Sequence, residues 1–157
     1  MKKLLLSLAM ICLLLTGCSK PAAPVDVELT SVMETIETKF ENDLPMTMPV
    51  GEVELQDFYG MSTDMVEDYA IILSAMNVHA TEIIMVEAKE GKLDDVKAAL
   101  DKRMEDVERI WSTYLPDQYE LVKNRKTLES GNYVAIVIAE KADEIMKVIT
   151  DSLTAGK

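Results

Sequence analysis

The clearest pattern of apolar and polar positions in the chain runs from Lys92 to Tyr114. Apolar residues recur there every three or four positions: Leu93, Val96, Leu100, Met104, Val107, Trp111 and Tyr114. Charged residues fill most of the positions between them. This spacing gathers the apolar side chains on one face of a helix. Similar spacing predicts helices over residues 30–40 and 141–155.

Two pairs of apolar runs predict strands. The first pair covers residues 68–74 and 80–88, and the second covers residues 119–128 and 133–139. Turn residues separate the members of each pair, which favours two hairpins. The run 133–139 is apolar throughout, so we expect a central, covered strand. Residues 46–60 are predicted to be irregular, with a short turn or helix within 53–59.

The resulting order of elements is α-ββ-α-ββ-α. It predicts an α+β fold in which an antiparallel four-stranded sheet has its helices packed on one face. Two hairpin-plus-helix units follow one another in this order. Sequence identity between the units is not visible.

The N-terminus has the pattern of a secretory signal. Lys2 and Lys3 give a positive start, and residues 4–15 are apolar except for Ser7. An ordinary transmembrane helix needs about 20 residues, so this run is too short to be one. Small residues, Thr16 and Gly17, then precede Cys18.

The four residues Leu15-Thr16-Gly17-Cys18 resemble the lipobox of bacterial lipoproteins. The resemblance implies that the Cys18 thiol receives diacylglycerol, that the chain is cut before Cys18, and that two acyl chains hold it on the bilayer. Two other interpretations stay open: a buried N-terminal helix with an incidental cysteine, and a secretory signal cut elsewhere. The predicted division is a signal peptide at 1–17, a lipidated Cys18 with a flexible tether to residue 29, and one globular domain at 30–157.

The net charge of −12 restricts the partners of the chain. The predicted cleavage removes two lysines and no acidic residue, so the mature domain is more acidic still. A basic patch for nucleic acid or for anionic lipid head groups is therefore not expected. The other cysteine, Cys12, leaves with the signal. With Cys18 lipidated, cysteine hydrolases, thiol oxidoreductases and Cys-ligated zinc proteins are excluded.

Three short motifs in the body of the chain occur together. They are Ala80-Thr81-Glu82-Ile83, Tyr114-Leu115-Pro116-Asp117-Gln118-Tyr119 and Gly131-Asn132-Tyr133-Val134. With the lipobox, they resemble a family of predicted lipoproteins from low-GC Gram-positive bacteria, known as a domain of unknown function. The resemblance covers roughly residues 50–152, and the family commonly has Asp at the position of Thr81. It implies a lipoprotein and transfers no catalytic residue.

Glu82 is the first candidate for a ligand-binding role, because it is the lone charge in an apolar strand. If it faces inward, burial would raise the pKa of its carboxyl group and make it an acid, or it would pair with Arg125 or Lys126. The alternative is a strand face open to solvent. His79, the only histidine, is expected at a strand end and partly exposed.

Tyr114, Tyr119 and Tyr133 are further candidates for ligand binding. We expect them to cluster with Trp111 where the long helix meets the sheet, as a sugar or peptide groove or as the edge of the core. No Gly-x-Ser-x-Gly elbow, histidine pair or Ca²⁺ loop occurs in the sequence, so no cofactor and no metal ligands are predicted.

Two hypotheses about function remain. The first is a non-enzymatic domain, anchored in the cell membrane by diacylglycerol on Cys18, that binds an unknown protein or small ligand on the extracytoplasmic side. The second is an extracytoplasmic enzyme that uses carboxylates or a divalent cation. Two carboxylates converging in one pocket with Glu82 or His79 would favour the enzyme. A solute receptor for a transporter ranks below both, because the chain is short for a two-lobed receptor.

Overall fold

The computed structural model describes residues 27–154, which form five helices and five strands. The predicted signal peptide, Cys18 and most of the tether lie outside these residues. In chain order the elements are α1 (Leu29–Lys39), β1 (Thr47–Pro49), α2 (Glu52–Tyr59), β2 (Val66–Ser74), β3 (Glu82–Ala88), α3 (Leu93–Trp111), α4 (Pro116–Lys123), β4 (Lys126–Ser130), β5 (Tyr133–Ile138) and α5 (Ala142–Thr154).

The strands form one antiparallel sheet in the order β1-β2-β3-β5-β4. Both predicted hairpins are present, since β2 pairs with β3 and β4 pairs with β5. Gly131 turns the second hairpin with a φ of 61°, a conformation that favours glycine. β3 lies at the centre, and β5 lies between β3 and β4, so the prediction of a central, covered strand at 133–139 is confirmed.

The predicted number of four strands is wrong, because β1 adds a fifth at the sheet edge. It lies in the segment that we expected to be irregular, and Thr47 pairs with Ser74 of β2. Three residues are too few to show the alternation of a strand. Pro49 has no N–H to donate, which suits an edge position.

The predicted strand at 119–128 is also wrong over its first half. Residues 116–123 form helix α4, and only residues 126–130 form strand β4. Pro116 ends the helical pattern of α3, but it also occupies the first turn of α4, where a missing N–H costs nothing. The predicted strand at 119–128 reflects only the role of Pro116 in ending α3.

The helices pack on both faces of the sheet, so the prediction of one covered face is wrong. α2, α3 and α4 cover one face and share a core with Ile84 and Ile136. α1 and α5 cover the other face and share a second core with Ile83 and Val137. Burial on both faces explains why β3 and β5 are almost continuously apolar.

The ends of α2 and α3 follow from their sequences. The Gly51 N–H donates to the Glu54 carboxylate at 3.1 Å, and Gly60 ends α2 in the left-handed conformation at a φ of 64°. Asp94 and Asp95 lie in the first turn of α3, where the helix dipole favours negative charge. No helix within residues 27–154 is both long enough and apolar enough to cross a membrane.

Candidate functional site

Two neighbouring polar residues lie inside the molecule at the start of β3. Apart from aromatic residues, Thr81 and Glu82 are the only polar residues that are buried within residues 27–154, with 6% and 3% of their surfaces exposed. Burying such groups is unfavourable unless they find partners. The groups that surround Thr81 and Glu82 therefore indicate which function this end of the sheet can have.

Glu82 faces the core beneath α3 and is held by two side chains. The Arg103 guanidinium donates from Nε to Glu82 Oε1 and from Nη2 to Oε2, both at 3.0 Å. The Tyr59 hydroxyl donates to Oε1 at 2.7 Å. Arg103 also stacks 5.1 Å from the centre of the Tyr59 ring. This arrangement joins the central strand to the end of α2 and the middle of α3.

The charges in this cluster reinforce one another. Burial and the adjacent Glu82 carboxylate raise the pKa of Tyr59 far above its ordinary value, so the phenol stays protonated. Burial opposes the charge on Arg103, but its hydrogen bonds and attraction to Glu82 outweigh that effect and raise the pKa of Arg103. Glu82 thus serves as an acceptor for three N–H or O–H donors, and a ligand-binding role for it stays a prediction.

Replacing Tyr59 with Phe is expected to lower the free energy of unfolding by about 1.5–3 kcal/mol at neutral pH, the value of a hydrogen bond to a charged group. The raised pKa of Tyr59 also makes wild-type stability fall above about pH 10, where the unfolded phenol ionises. Urea unfolding from pH 7 to 11 should show a shallower alkaline fall for Tyr59→Phe. Exposed Tyr114→Phe is the control, and parallel falls in wild type and Tyr59→Phe would contradict the prediction.

A groove of about 310 Å³ opens beside this cluster, at the end of the sheet where β3 begins and β5 has ended. Four segments far apart in the sequence line it: the loop after α1, the approach to β3, α4, and the residues after β5. The lining residues are Asn42, Asp43, Leu44, Pro45, His79, Thr81, Gln118, Leu121 and Glu140.

One hydrogen bond fixes the position of α4 along this groove. The Ala80 N–H donates to Gln118 Oε1 at 2.9 Å, which joins the motif at 80–83 to the motif at 114–119. The side-chain amide NH₂ of Gln118 remains available as a donor. This bond therefore joins two segments that line the groove, through residues that are 38 positions apart in the chain.

The groove brings together His79, Asp43 and Glu140. His79 is half-buried before β3, as expected for a strand-end histidine, while both carboxylates are exposed. None of the three belongs to an ion pair of the described residues. Residues 27–154 contain no group of three or more His, Cys, Asp or Glu residues placed to hold a metal ion.

The three candidate tyrosines do not form the expected cluster. The rings of Trp111 and Tyr114 contact each other, with centres 5.8 Å apart. Trp111 belongs to the core beneath α2, α3 and α4, and Tyr119 packs against that core. Tyr133, however, is buried in the core on the opposite face of the sheet. Alternation along β5 sends its side chain away from α3. Whether any of the three binds a ligand stays a prediction.

The structure also corrects the partner expected for Glu82. Arg125 pairs with Glu108 at 2.7 Å and Lys126 with Asp143 at 2.8 Å, whereas Glu82 pairs with Arg103. Arg103 occupies a position of α3 that the periodic pattern counts as polar. The inward position of Arg103, like the places of Asp43 and Glu140 in the groove, leaves no trace in local sequence, whereas Gln118 and Thr81 lie in two of the motifs quoted above.

The family model of a domain of unknown function, DUF4358, matches residues 41–139. Comparison with curated proteins and with solved structures gave no match. The matched segment contains the ion-pair cluster and every groove residue except Glu140. Because the match covers more than half of the chain, the protein belongs to the DUF4358 family of unknown function.

Proposed function

We propose that the protein is a membrane-anchored lipoprotein of the kind found in low-GC Gram-positive bacteria. Diacylglycerol on Cys18 holds it on the extracytoplasmic face of the cell membrane, and its domain binds a partner protein or small ligand without catalysis. The observation that carries the anchoring is Leu15-Thr16-Gly17-Cys18 placed directly behind a charged start and a short apolar run. Two acyl chains are enough for stable attachment.

The direction of the first helix supports a role in binding outside the membrane. The Leu29 N–H, at the start of α1, donates to the Asp68 carboxylate near the beginning of β2. The residues directly after α1 line the groove at the other end of the sheet. An 11-residue helix is about 16 Å long, so Leu29, near the start of the described domain, and the groove lie at opposite ends of α1. In a domain anchored through its N-terminus, a groove at the far end of α1 would be accessible to a partner outside the membrane.

The buried carboxylate supports binding rather than catalysis. Glu82 is surrounded by Arg103 and Tyr59, which occupy both of its oxygens, and it does not line the groove. The catalytic role expected for an inward-facing Glu82 is that of a protonated acid that donates its proton. A fully paired carboxylate at this position instead stabilises the wall beside the groove.

Cys18→Ala tests the anchoring. Cells fed with a radioactive fatty acid should label the parent protein and leave Cys18→Ala unlabelled, and the variant should leave the membrane fraction. The reason is that alanine has no thiol to accept diacylglycerol. Cys12→Ala is the matched control, because Cys12 precedes the predicted cleavage site and should not affect labelling. Equal label on parent and Cys18→Ala would defeat the proposal.

A second candidate function is an enzyme that works in the groove. The observation that favours it is that Asp43, Glu140 and His79 line the same groove, since carboxylates and an imidazole are groups that act in general acid–base chemistry. This candidate requires that a bound compound be chemically altered. It also requires that His79→Ala abolish the alteration while binding persists, which product analysis by mass spectrometry would reveal.

A further inference from the structure

We propose that the groove binds a small organic molecule that carries a protonated amine and at least one hydroxyl or carbonyl oxygen. The proposal rests on the binding function proposed above and names its site and the class of its ligand. Three independent features of the groove support it: an unpartnered buried hydroxyl, uncompensated negative charge, and a wall that is partly apolar.

Thr81 is the first feature. The residue is 94% buried, yet its hydroxyl takes part in no hydrogen bond within residues 27–154. No fully buried side-chain oxygen or nitrogen of these residues lacks a partner, so solvent must reach this hydroxyl. Thr81 is one of the residues that line the groove. A nearly buried hydroxyl that points into a cavity without a protein partner is a ready donor and acceptor for a ligand.

Charge is the second feature. Asp43 and Glu140 come from distant parts of the chain, and both line the groove. No Lys or Arg is among the lining residues. Neither carboxylate forms an ion pair with a described residue, although nine such pairs occur elsewhere among them. Carboxylates that lack a cation in a concave site attract a positive ligand. The overall charge of −12 adds to this attraction.

The ligand groups available in the groove and its apolar lining residues favour an organic cation over a metal ion. Ca²⁺ needs six or more oxygen ligands, and Mg²⁺ needs near-octahedral geometry. No group of three or more acidic, cysteine or histidine side chains within residues 27–154 is placed to hold such an ion. Leu44, Pro45 and Leu121 instead provide apolar surface for a carbon skeleton. The volume of about 310 Å³ lies at the lower end of the range for small-molecule sites, roughly 300–1,000 Å³.

The side-chain amide of Gln118 is the reason for placing an oxygen atom on the proposed ligand. Its Oε1 accepts from the Ala80 N–H, and its NH₂ group has no hydrogen-bond partner among the described residues, so this group is available to a ligand in the groove that Gln118 lines. A ligand oxygen is the natural acceptor. The amine would then lie near Asp43 or Glu140, and a ligand hydroxyl near Thr81.

The test uses the full-length lipidated protein in detergent and three amines: ethanolamine, lysine amide and glucosamine. Each is compared with its form acetylated on every amine, which is similar in shape and lacks the positive charge. Saturation-transfer NMR and isothermal titration should detect binding of at least one amine, at least ten-fold tighter than binding of its acetylated form. Thr81→Val, which keeps the volume and removes the hydroxyl, should weaken that binding at least ten-fold.

Matched controls separate the groove from the rest of the surface. Asp43→Asn should weaken amine binding, whereas Glu105→Gln, which removes an exposed charge on α3 outside the groove, should not. Thr127→Val, an exposed threonine on β4, should also bind normally. The thermal unfolding midpoint of each variant shows that it is folded.

Several results would overturn the proposal: no binding of any of the three amines, equal binding of the acetylated forms, or an unchanged affinity in Thr81→Val. Saturable Ca²⁺ binding that is lost in Asp43→Asn would show that the groove binds a metal ion and not an amine. Failure of amine binding with normal fatty-acid labelling of Cys18 would leave the anchored lipoprotein intact and reject only this ligand. An amine that is consumed by wild type and not by Thr81→Val would support the groove as the site and reject its non-catalytic role.

Discussion

Replacing Arg103 with Met is expected to lower the free energy of unfolding by about 3–5 kcal/mol, the cost of leaving a buried charge without its partner. Glu82 is the deeper member of the pair, since its side chain is 4% exposed and that of Arg103 is 17% exposed. Without the guanidinium, Glu82 keeps only the Tyr59 hydroxyl as a donor. Urea unfolding of a protein that begins at residue 27 and contains both cores would measure the loss.

The reverse change should be milder. Glu82→Gln leaves Arg103 uncompensated, but Arg103 already reaches solvent and can hydrate its charge. The triple variant Tyr59→Phe, Glu82→Met, Arg103→Met removes every polar member together, so no group is left unpaired, and it should recover most of the stability lost in Arg103→Met. An Arg103→Met variant within about 1 kcal/mol of wild type would show that the pair does not hold Glu82 in the core.

The second large effect concerns the two faces of the sheet. Ile83 and Ile84 are adjacent on β3 and fully buried, but they belong to different cores. We expect Ile83→Ala and Ile84→Ala each to lower the free energy of unfolding by about 2–5 kcal/mol, because each leaves a cavity in a packed core. The measurement is again the urea unfolding transition.

The comparison between the two isoleucines is what distinguishes a sheet covered on both faces from one covered on a single face. A sheet with one open face would tolerate one of the two substitutions. Val53→Ala, at a position on α2 that is 67% exposed, is the control and should change the stability by less than about 0.5 kcal/mol. A neutral Ile83→Ala beside a costly Ile84→Ala would mean that α1 and α5 do not cover their face.

The ion pair between Glu82 and Arg103 also matters for the groove, because of its position in the chain. Glu82 directly follows Thr81, so the guanidinium that holds Glu82 also fixes the strand that presents the Thr81 hydroxyl. Arg103 is therefore a positioning residue for the groove. Loss of stability in Arg103→Met should be accompanied by weaker amine binding, although Arg103 does not line the groove.

Elements with a long, regular pattern were predictable from sequence. The helices expected at 30–40, 92–114 and 141–155 occur as α1, α3 and α5 with ends shifted by a few residues at most, and the strands at 68–74, 80–88 and 133–139 occur as β2, β3 and β5. Each depends on apolar spacing that is repeated within one segment. The short turn or helix expected within 53–59 occurs as α2, but β1 and α4 were not predicted. Three residues of β1, or a proline that both ends one helix and begins the next, hold too little local information.

The sequence by itself determined the three long helices, the two hairpins, the acidic charge and the candidate lipid attachment at Cys18, because each is written in neighbouring residues. Only the tertiary structure decided that helices cover both faces, that Glu82 pairs with Arg103, and that Asp43, Thr81, Gln118 and Glu140 share one groove. These contacts join residues far apart in the chain. The type and spacing of side chains within one segment do not show which distant segments that segment will contact.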